Sequence, residues 1–328
     1  MSSPLTGVSS RAPIGVASRS GLARWLDAIP HPPVACEIGP RHVAAARYTR
    51  TAPGLEDYAV ESLPEGAIAV SPVELNIVDA AGVRSAVERV LRRIHVRGQQ
   101  GTLLVPDQVV RVFLLNFETF PKSSEEALPL LRWRLKKSVP FDVEDTVVSF
   151  TRQASPGEGV GVLAAVARAR IIRQYEEMVE AAGLEPGVVL SSTLGVLPLL
   201  EADRPALLAR LTGTTLTTVL TRGDVLCVYR CSESEPAATL TPQALLAEMY
   251  PAVAFYQDTW KESVAQVRLA GLGSRYEEFR QAVQAELGVN VAPLAPPVGM
   301  AERSPGDARG LMDRNVESLV GWMMNRWV

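Results

Sequence analysis

Reactive side chains are scarce in this 328-residue chain, which has three cysteines and three histidines. Cys36, Cys227 and Cys231 form neither a metal-binding spacing nor an even disulfide framework, so they read as reduced thiols, with Cys36 in a core strand. His31, His42 and His95 lie far apart, and His31 sits in a proline-rich stretch. A histidine triad or metal centre would need a chance convergence in the fold. Charge of one sign is also lacking. A net charge of -3 gives no electrostatic reason to propose nucleic acid as a partner. No apolar run approaches the ~20 residues that cross a bilayer, and the N-terminus lacks a signal-peptide core. The expectation is a cytoplasmic protein, with docking on a membrane surface left open. What remains is ordinary globular material, 47% hydrophobic and 21% charged, enough for one or two buried cores.

The segment 1–20 is rich in Ser, Gly, Ala and Pro and reads as a disordered tail. Leu22, Trp25, Leu26 and Ile29 follow at helical spacing, and Pro30, Pro32 and Pro33 stop that helix. It either packs on its own domain or touches a membrane. Strands are expected at 34–38, 43–48 and 58–63, a helix at 79–94 and a buried strand at 101–105. A further strand at 109–115, a helix capped by Ser123 and Ser124, and strands at 146–151 and 160–167 read as a small inserted subdomain with its own sheet. A helix over 170–182 closes on Gly183, a short strand covers 188–190, and an apolar helix covers 192–200. The opening order then returns. Strands at 206–211, 216–221 and 225–230, a helix at 241–260, a strand at 267–270, a helix at 276–287 and a strand at 289–291 repeat β-β-β-α-β. The tail 315–328 reads as a helix bearing Val316, Leu319, Val320, Met323 and Trp327. It packs on its own domain, on a neighbour or on a membrane.

Two glycine turns, Glu37-Ile38-Gly39 and Gly271-Leu272-Gly273, each follow a short apolar strand. Together with the hydroxyl-rich turn Thr212-Gly213-Thr214-Thr215 they outline a phosphate-binding frame, although GxG alone equally serves close helix–strand packing. The remaining polar clusters have plainer readings. Ser191-Ser192-Thr193 caps a helix. Glu176-Glu177 lies on a solvated face. Arg92, Arg93, His95 and Arg97 complement a helix dipole, with phospholipid contact as the alternative.

Four stretches carry a resemblance to a known family: Val34-Ala35-Cys36-Glu37-Ile38-Gly39; Phe120-Pro121 with the helix through Arg132-Trp133 into Val139-Pro140-Phe141; Glu180-Ala181-Ala182-Gly183-Leu184-Glu185-Pro186; and Phe255-Tyr256 with Leu269-Ala270-Gly271-Leu272-Gly273. In this order they resemble the PilM-like cytoplasmic proteins of type IV pilus assembly, over roughly residues 33–291. The cytoplasmic domain of the type II secretion L component is a near neighbour. The resemblance implies an α/β, actin-like (ribonuclease H-like) fold of duplicated lobes. The first lobe would span 33–190 with an insertion over about 106–167, and the second 191–328, after a tail and short helix over 1–32. It further implies a protein at the cytoplasmic face of the inner membrane that binds the tail peptide of a PilN-like bitopic partner beside the inserted subdomain. Leu128, Leu131, Arg132, Leu135, Val139, Pro140 and Phe141 are the groove candidates, and self-association is a further possibility.

The chain departs from that family where nucleotide would bind. The family's fold holds Mg²⁺ with an Asp at the end of each lobe's first strand. Here the first acid is Glu37, Pro40 has no N–H to donate, and Arg41 either meets a phosphate or is a surface charge. The second lobe's strand carries Arg210 and no acid, and the subdomain that walls the adenosine pocket is reduced to residues 231–247. The degenerate nucleotide-site candidates are therefore Glu37, Gly39, Arg41, Thr214, Thr215, Gly271 and Gly273. The expectation is a non-catalytic scaffold with no metal and no required cofactor. The alternative is an ATPase or nucleotide switch using ATP with Mg²⁺.

Overall fold

The computed structural model describes residues 31–48, 55–200, 204–295, 305–312 and 314–324. The tail expected over 1–20, the helix expected over 21–29 and Trp327 lie outside these. The chain opens with an antiparallel meander, β1 (Val34–Ile38), β2 (His42–Tyr48) and β3 (Leu55–Ser62). Helix α1 (Ala80–Arg93) follows, capped by Asp79, whose carboxylate accepts the Gly82 N–H at 2.9 Å. It buries Val83, Ala86, Val87, Val90 and Leu91 against the sheet and returns the chain to β4 (Gln99–Val105), parallel to β1.

The chain then leaves this lobe to build a small sheet from β5 (Arg111–Phe117), β6 (Thr146–Gln153) and β7 (Val160–Arg168), with helix α2 (Ser124–Leu135) between β5 and β6. The strand order is β5-β7-β6, which leaves one edge of β6 unpaired within that sheet. Helix α3 (Ala169–Glu180) brings the chain back to β8 (Leu184–Ser191), and the first sheet is complete as β3-β2-β1-β4-β8. Strand β8 is longer than the three residues expected. It contains Pro186 and Gly187, which break a strand pattern in sequence, but it is an edge strand, and the register against β4 shifts between Gly101 and Thr102 to absorb them.

Helix α4 (Ser192–Val196) is shorter than the helix expected over 192–200 and passes into a 3₁₀ turn at Leu197–Leu199, where Pro198 cannot continue an α-helical ladder. The second lobe repeats the first: β9 (Ala206–Thr212), β10 (Thr215–Arg222), β11 (Val225–Glu233), α5 (Pro242–Trp260), β12 (Gln266–Ala270), α6 (Tyr276–Leu287) and β13 (Asn290–Pro293). Its order, β11-β10-β9-β12-β13, matches the first sheet position for position. Residues 234–241 alone join β11 to α5. The described residues end with α7 (Pro305–Met312) and α8 (Glu317–Met324), the latter lying within the tail helix expected over 315–328.

Period-two alternation in the two central strands positions the site. Val34, Cys36 and Ile38 of β1 face one core with α1 and α3, and Leu207, Ala209 and Leu211 of β9 face an equivalent core with α5 and α6. Ala35 and Leu208, one residue out of phase, belong to a third core shared by both lobes and closed by Leu319, Val320, Trp322 and Met323 of α8. Glu37 and Arg210 share that phase.

Candidate functional site

The end of β1 delivers Glu37 and the matching point of β9 delivers Arg210, each side chain 1% exposed. Their closest approach, Glu37 Oε1 to Arg210 Nη2, is 3.9 Å. Asp107, in the turn after β4, is 3.9 Å from Arg210 Nη1, and Glu317, the first residue of α8, is 3.6 Å from Arg210 Nε. Hydroxyls complete the cluster. Ser318 donates to Glu37, Thr217 donates to Asp107 at 2.7 Å, and Arg210 Nη1 donates to Ser192 Oγ at 2.7 Å. Arg210 Nε and Nη2 and Glu317 Oε2 have no hydrogen-bond partner.

The electrostatics follow from burial. Desolvation pushes the Glu37 carboxyl up, but His42, Arg210 and the Ser318 hydroxyl together outweigh it and hold the group below its ordinary value. Glu317 goes the other way. Burial raises it, the charge of Glu37 adds to the rise, and Arg210 only partly opposes it. Arg210 stays charged: burial disfavours its cation, and Glu317, Glu37 and Asp107 more than compensate.

Ser191-Ser192-Thr193 does not cap its own helix as expected, because Ser191 makes no side-chain cap bond. Asp107 takes the α4 N-terminus instead, accepting the Thr193 N–H at 2.8 Å. The motif reading passed over Asp107, Glu317 and Ser318. Asp107 left one sequence signal, an acid immediately after the apolar run of β4, whereas nothing local marks Glu317 or Ser318.

Two of the glycines in these turns have packing roles in the structure. At Gly39 a Cβ would come within 2.9 Å of the His42 ring, so this glycine accommodates His42. His42 Nε2 lies 3.8 Å from Glu37, while Ser318 donates to that carboxylate rather than to the imidazole, so the trio is not a nucleophile–base pair. Gly271, at φ +79°, lets β12 approach β9 so closely that a Cβ would stand 1.8 Å from the Leu211 carbonyl oxygen. Thr214 is exposed, and Thr215 is buried within the sheet. Their neighbours Thr212 and Gly213 line the cleft in their place. Arg41 reaches the same cleft, and its exposed ion pair with Glu65 at 3.7 Å contributes little.

Two cavities remain at the cleft mouth. One of about 480 Å³ is lined by Arg41, His42, Thr212, Gly213 and Arg314. The other, of about 430 Å³, is lined by Leu272, Gly273, Tyr276, Leu294 and Glu317. They share Gly271 and Asn315. Burial pushes all three thiols up, those of Cys227 and Cys231 to about 12, which favours the protonated thiol over the nucleophilic thiolate at neutral pH.

Packing takes Leu131, Leu135 and Val139 out of the peptide groove expected on α2. Leu131 and Leu135 are fully buried and Val139 nearly so. Leu131 and Leu135 form the insert's own core with Phe120, Ala164 and Val166. Leu128 and Phe141 are half-buried, Arg132 bonds the Thr146 carbonyl, Pro140 is exposed, and Trp133 is 73% exposed. A groove of about 240 Å³ lies instead on the opposite face of the inserted sheet. The cross-strand pairs Val147–Ala167 and Ser149–Ala165 floor it, and Val110, Ile172 and Val189 wall it. Its small side chains leave space, Val147 is 48% exposed, and Glu176 supplies a carboxylate at the rim.

No protein-family model and no curated protein matches the chain. Among solved structures, a chain of the PilM-PilN type IV pilus biogenesis complex is similar with a TM-score of 0.67 and 20% identity, over 89% of this chain and 97% of that one. The cytoplasmic domain of EpsL, an inner-membrane component of the Vibrio cholerae type II secretion system, is similar with a TM-score of 0.46 and 12% identity, over 72% and 80%. A Bacteroides thetaiotaomicron protein of actin-like ATPase fold and unknown function gives 0.46 and 10%, over 86% and 95%. At 20% identity or less, these likenesses show the fold and not a function. With its twice-repeated strand order and its match to the pilus-complex chain, this protein has the actin-like fold of duplicated lobes with a small α+β insertion.

Proposed function

We propose that this chain is a non-catalytic scaffold of a type IV pilus assembly platform, located in the cytoplasm at the inner membrane and holding the cytoplasmic tail peptide of a PilN-like bitopic partner. The observation that carries the reading is the fold likeness to a chain of the PilM-PilN complex along nearly the whole length of both proteins. The groove between the inserted sheet and the first lobe supports it. An extended peptide there has an unpaired β6 edge for main-chain hydrogen bonds and an apolar floor for alternate side chains. Arg210, standing where the second lobe of a nucleotide-binding relative would carry its acid, supports the absence of ATP hydrolysis.

The test is titration of a labelled N-terminal tail peptide of the candidate partner, followed by fluorescence anisotropy. Saturable micromolar binding, abolished by Val147→Asp, is expected. No binding by the intact protein would sink the proposal. The two cleft cavities favour a second reading, a retained nucleotide switch. Calorimetry with ATP and Mg²⁺ separates the two, because heat of binding at millimolar nucleotide would restore the switch.

A further inference from the structure

At the junction of the lobes, three carboxylates from separate parts of the chain face one positive centre. Glu37 ends β1, Asp107 follows β4 and Glu317 begins α8; with Arg210 all are at most 5% exposed. Oxygens gathered from separate elements around a single cation are the arrangement by which proteins hold a hard divalent ion. Here the cation is covalently part of the chain. A divalent ion does not fit beside it, because a guanidinium brings a fixed positive charge and five N–H donors but no acceptor. Among the described residues no group of three His, Cys, Asp or Glu is close enough to hold a metal.

We propose that Arg210 fills, as part of the chain itself, the place that a divalent cation would take among these three carboxylates, joining the two lobes with neither metal nor ligand. Arg210 enters from β9 at the position matching Glu37 of β1, so each lobe contributes one side of the bridge, and α8 adds a third carboxyl. The packing requires such a charge. Without it, three carboxylates would be buried together, with hydroxyls, one backbone N–H and the His42 ring as their only polar company. The planar guanidinium spreads its nitrogens toward three acids and two hydroxyls at once, which a compact ammonium would not. The proposal does not depend on peptide capture, and failure of either leaves the other standing.

The test uses the purified full chain in EDTA or in millimolar Mn²⁺, read by thermal melting and by loss of the free-Mn²⁺ signal in electron paramagnetic resonance. Wild type is expected to bind no Mn²⁺ and to melt at one temperature in both buffers. Arg210→Asp is expected to melt lower in EDTA, to recover in Mn²⁺ and to take up one ion per chain. Mn²⁺ uptake by wild type, or an Arg210→Asp protein that is unweakened in EDTA or unresponsive to Mn²⁺, would overturn the proposal. Arg210→Lys and Arg210→Met cover the case in which the aspartate variant does not fold. A bridging cation requires Lys to retain more stability than Met, and the reverse order would show that Arg210 only fills space.

Discussion

Replacing Trp322 by alanine tests whether the C-terminal helix is a structural member of the fold or a free contact surface. Trp322 is 1% exposed, its indole N–H donates to Thr102 Oγ1 at 2.9 Å, and its ring packs on His31 with centroids 4.6 Å apart. Truncating a buried aromatic to alanine costs about 3–5 kcal/mol. The Thr102 hydroxyl, buried with no exposure, would also lose its indole donor, which adds about 1 kcal/mol or more. The sum, roughly 5 kcal/mol, is a large share of the ~5–15 kcal/mol that typically separates folded from unfolded chains. At about 2–4 °C per kcal/mol for a domain of this scale, the melting temperature should fall by roughly 10–20 °C. Urea denaturation followed by far-ultraviolet circular dichroism measures the loss directly, and an unchanged slope would confirm that only stability had moved. Trp322→Phe, which keeps most of the ring and removes the donor, should lose about 1–3 kcal/mol. A Trp322→Ala loss below about 1 kcal/mol would refute the reasoning and return the helix to the role of a membrane or neighbour contact.

Three further perturbations address the cleft and the groove. Gly271→Ala places a Cβ 1.8 Å from the Leu211 carbonyl oxygen at a left-handed φ, so it should destabilise the chain by more than about 3 kcal/mol in a urea titration, whereas Gly213→Ala, with open space around it, should cost about 1 kcal/mol. Val147→Asp should leave the melting temperature within about 2 °C of wild type, since surface changes cost little, while abolishing tail-peptide binding; Leu131→Ala should do the opposite, losing about 2–5 kcal/mol of stability with binding retained by the folded fraction. Glu317 has a folded-state value above its ordinary 4.5, so its contribution is fully present below that pH and is lost as pH rises through the folded value. Glu37, held below 4.5, contributes stability above that pH and loses it as pH falls through its folded value. Denaturation curves from pH 2 to pH 8 should therefore show Glu317→Gln flattening the decline as pH rises above 4.5 and Glu37→Gln flattening the decline as pH falls below it.

Much of the fold was legible because it rests on short-range physics. Hydrophobic periodicity marked the helices, Ser123 announced the start of one, Gly183 marked the end of another, and the repeated order of strands and helices named the duplicated architecture. Such signals need only neighbouring residues, and they survive without knowledge of what packs where. The resemblance in four short motifs pointed to the same fold. Where short-range reading went astray, the cause was tertiary. Leu128, Leu131 and Leu135 look alike as an apolar helix stripe, and only the position of the inserted sheet decides that Leu131 and Leu135 are core and that the open groove lies on the sheet's other face.

The sequence by itself determined the two lobes, the insertion, the scarcity of nucleophiles and metal ligands, and the presence of arginine in place of an acid at position 210. The first three follow from composition or from periodicity along the chain, and the acid that the arginine replaces is what the family resemblance implies. Only the tertiary structure decided what that arginine does. Glu37, Asp107 and Glu317 are separated by scores of residues, and no pattern along the chain couples them. They meet because β1 and β9 present the same phase of their pleat toward each other and because α8 closes over both. A buried charge takes its meaning from the charges that surround it in space, and that information exists only once the lobes have closed.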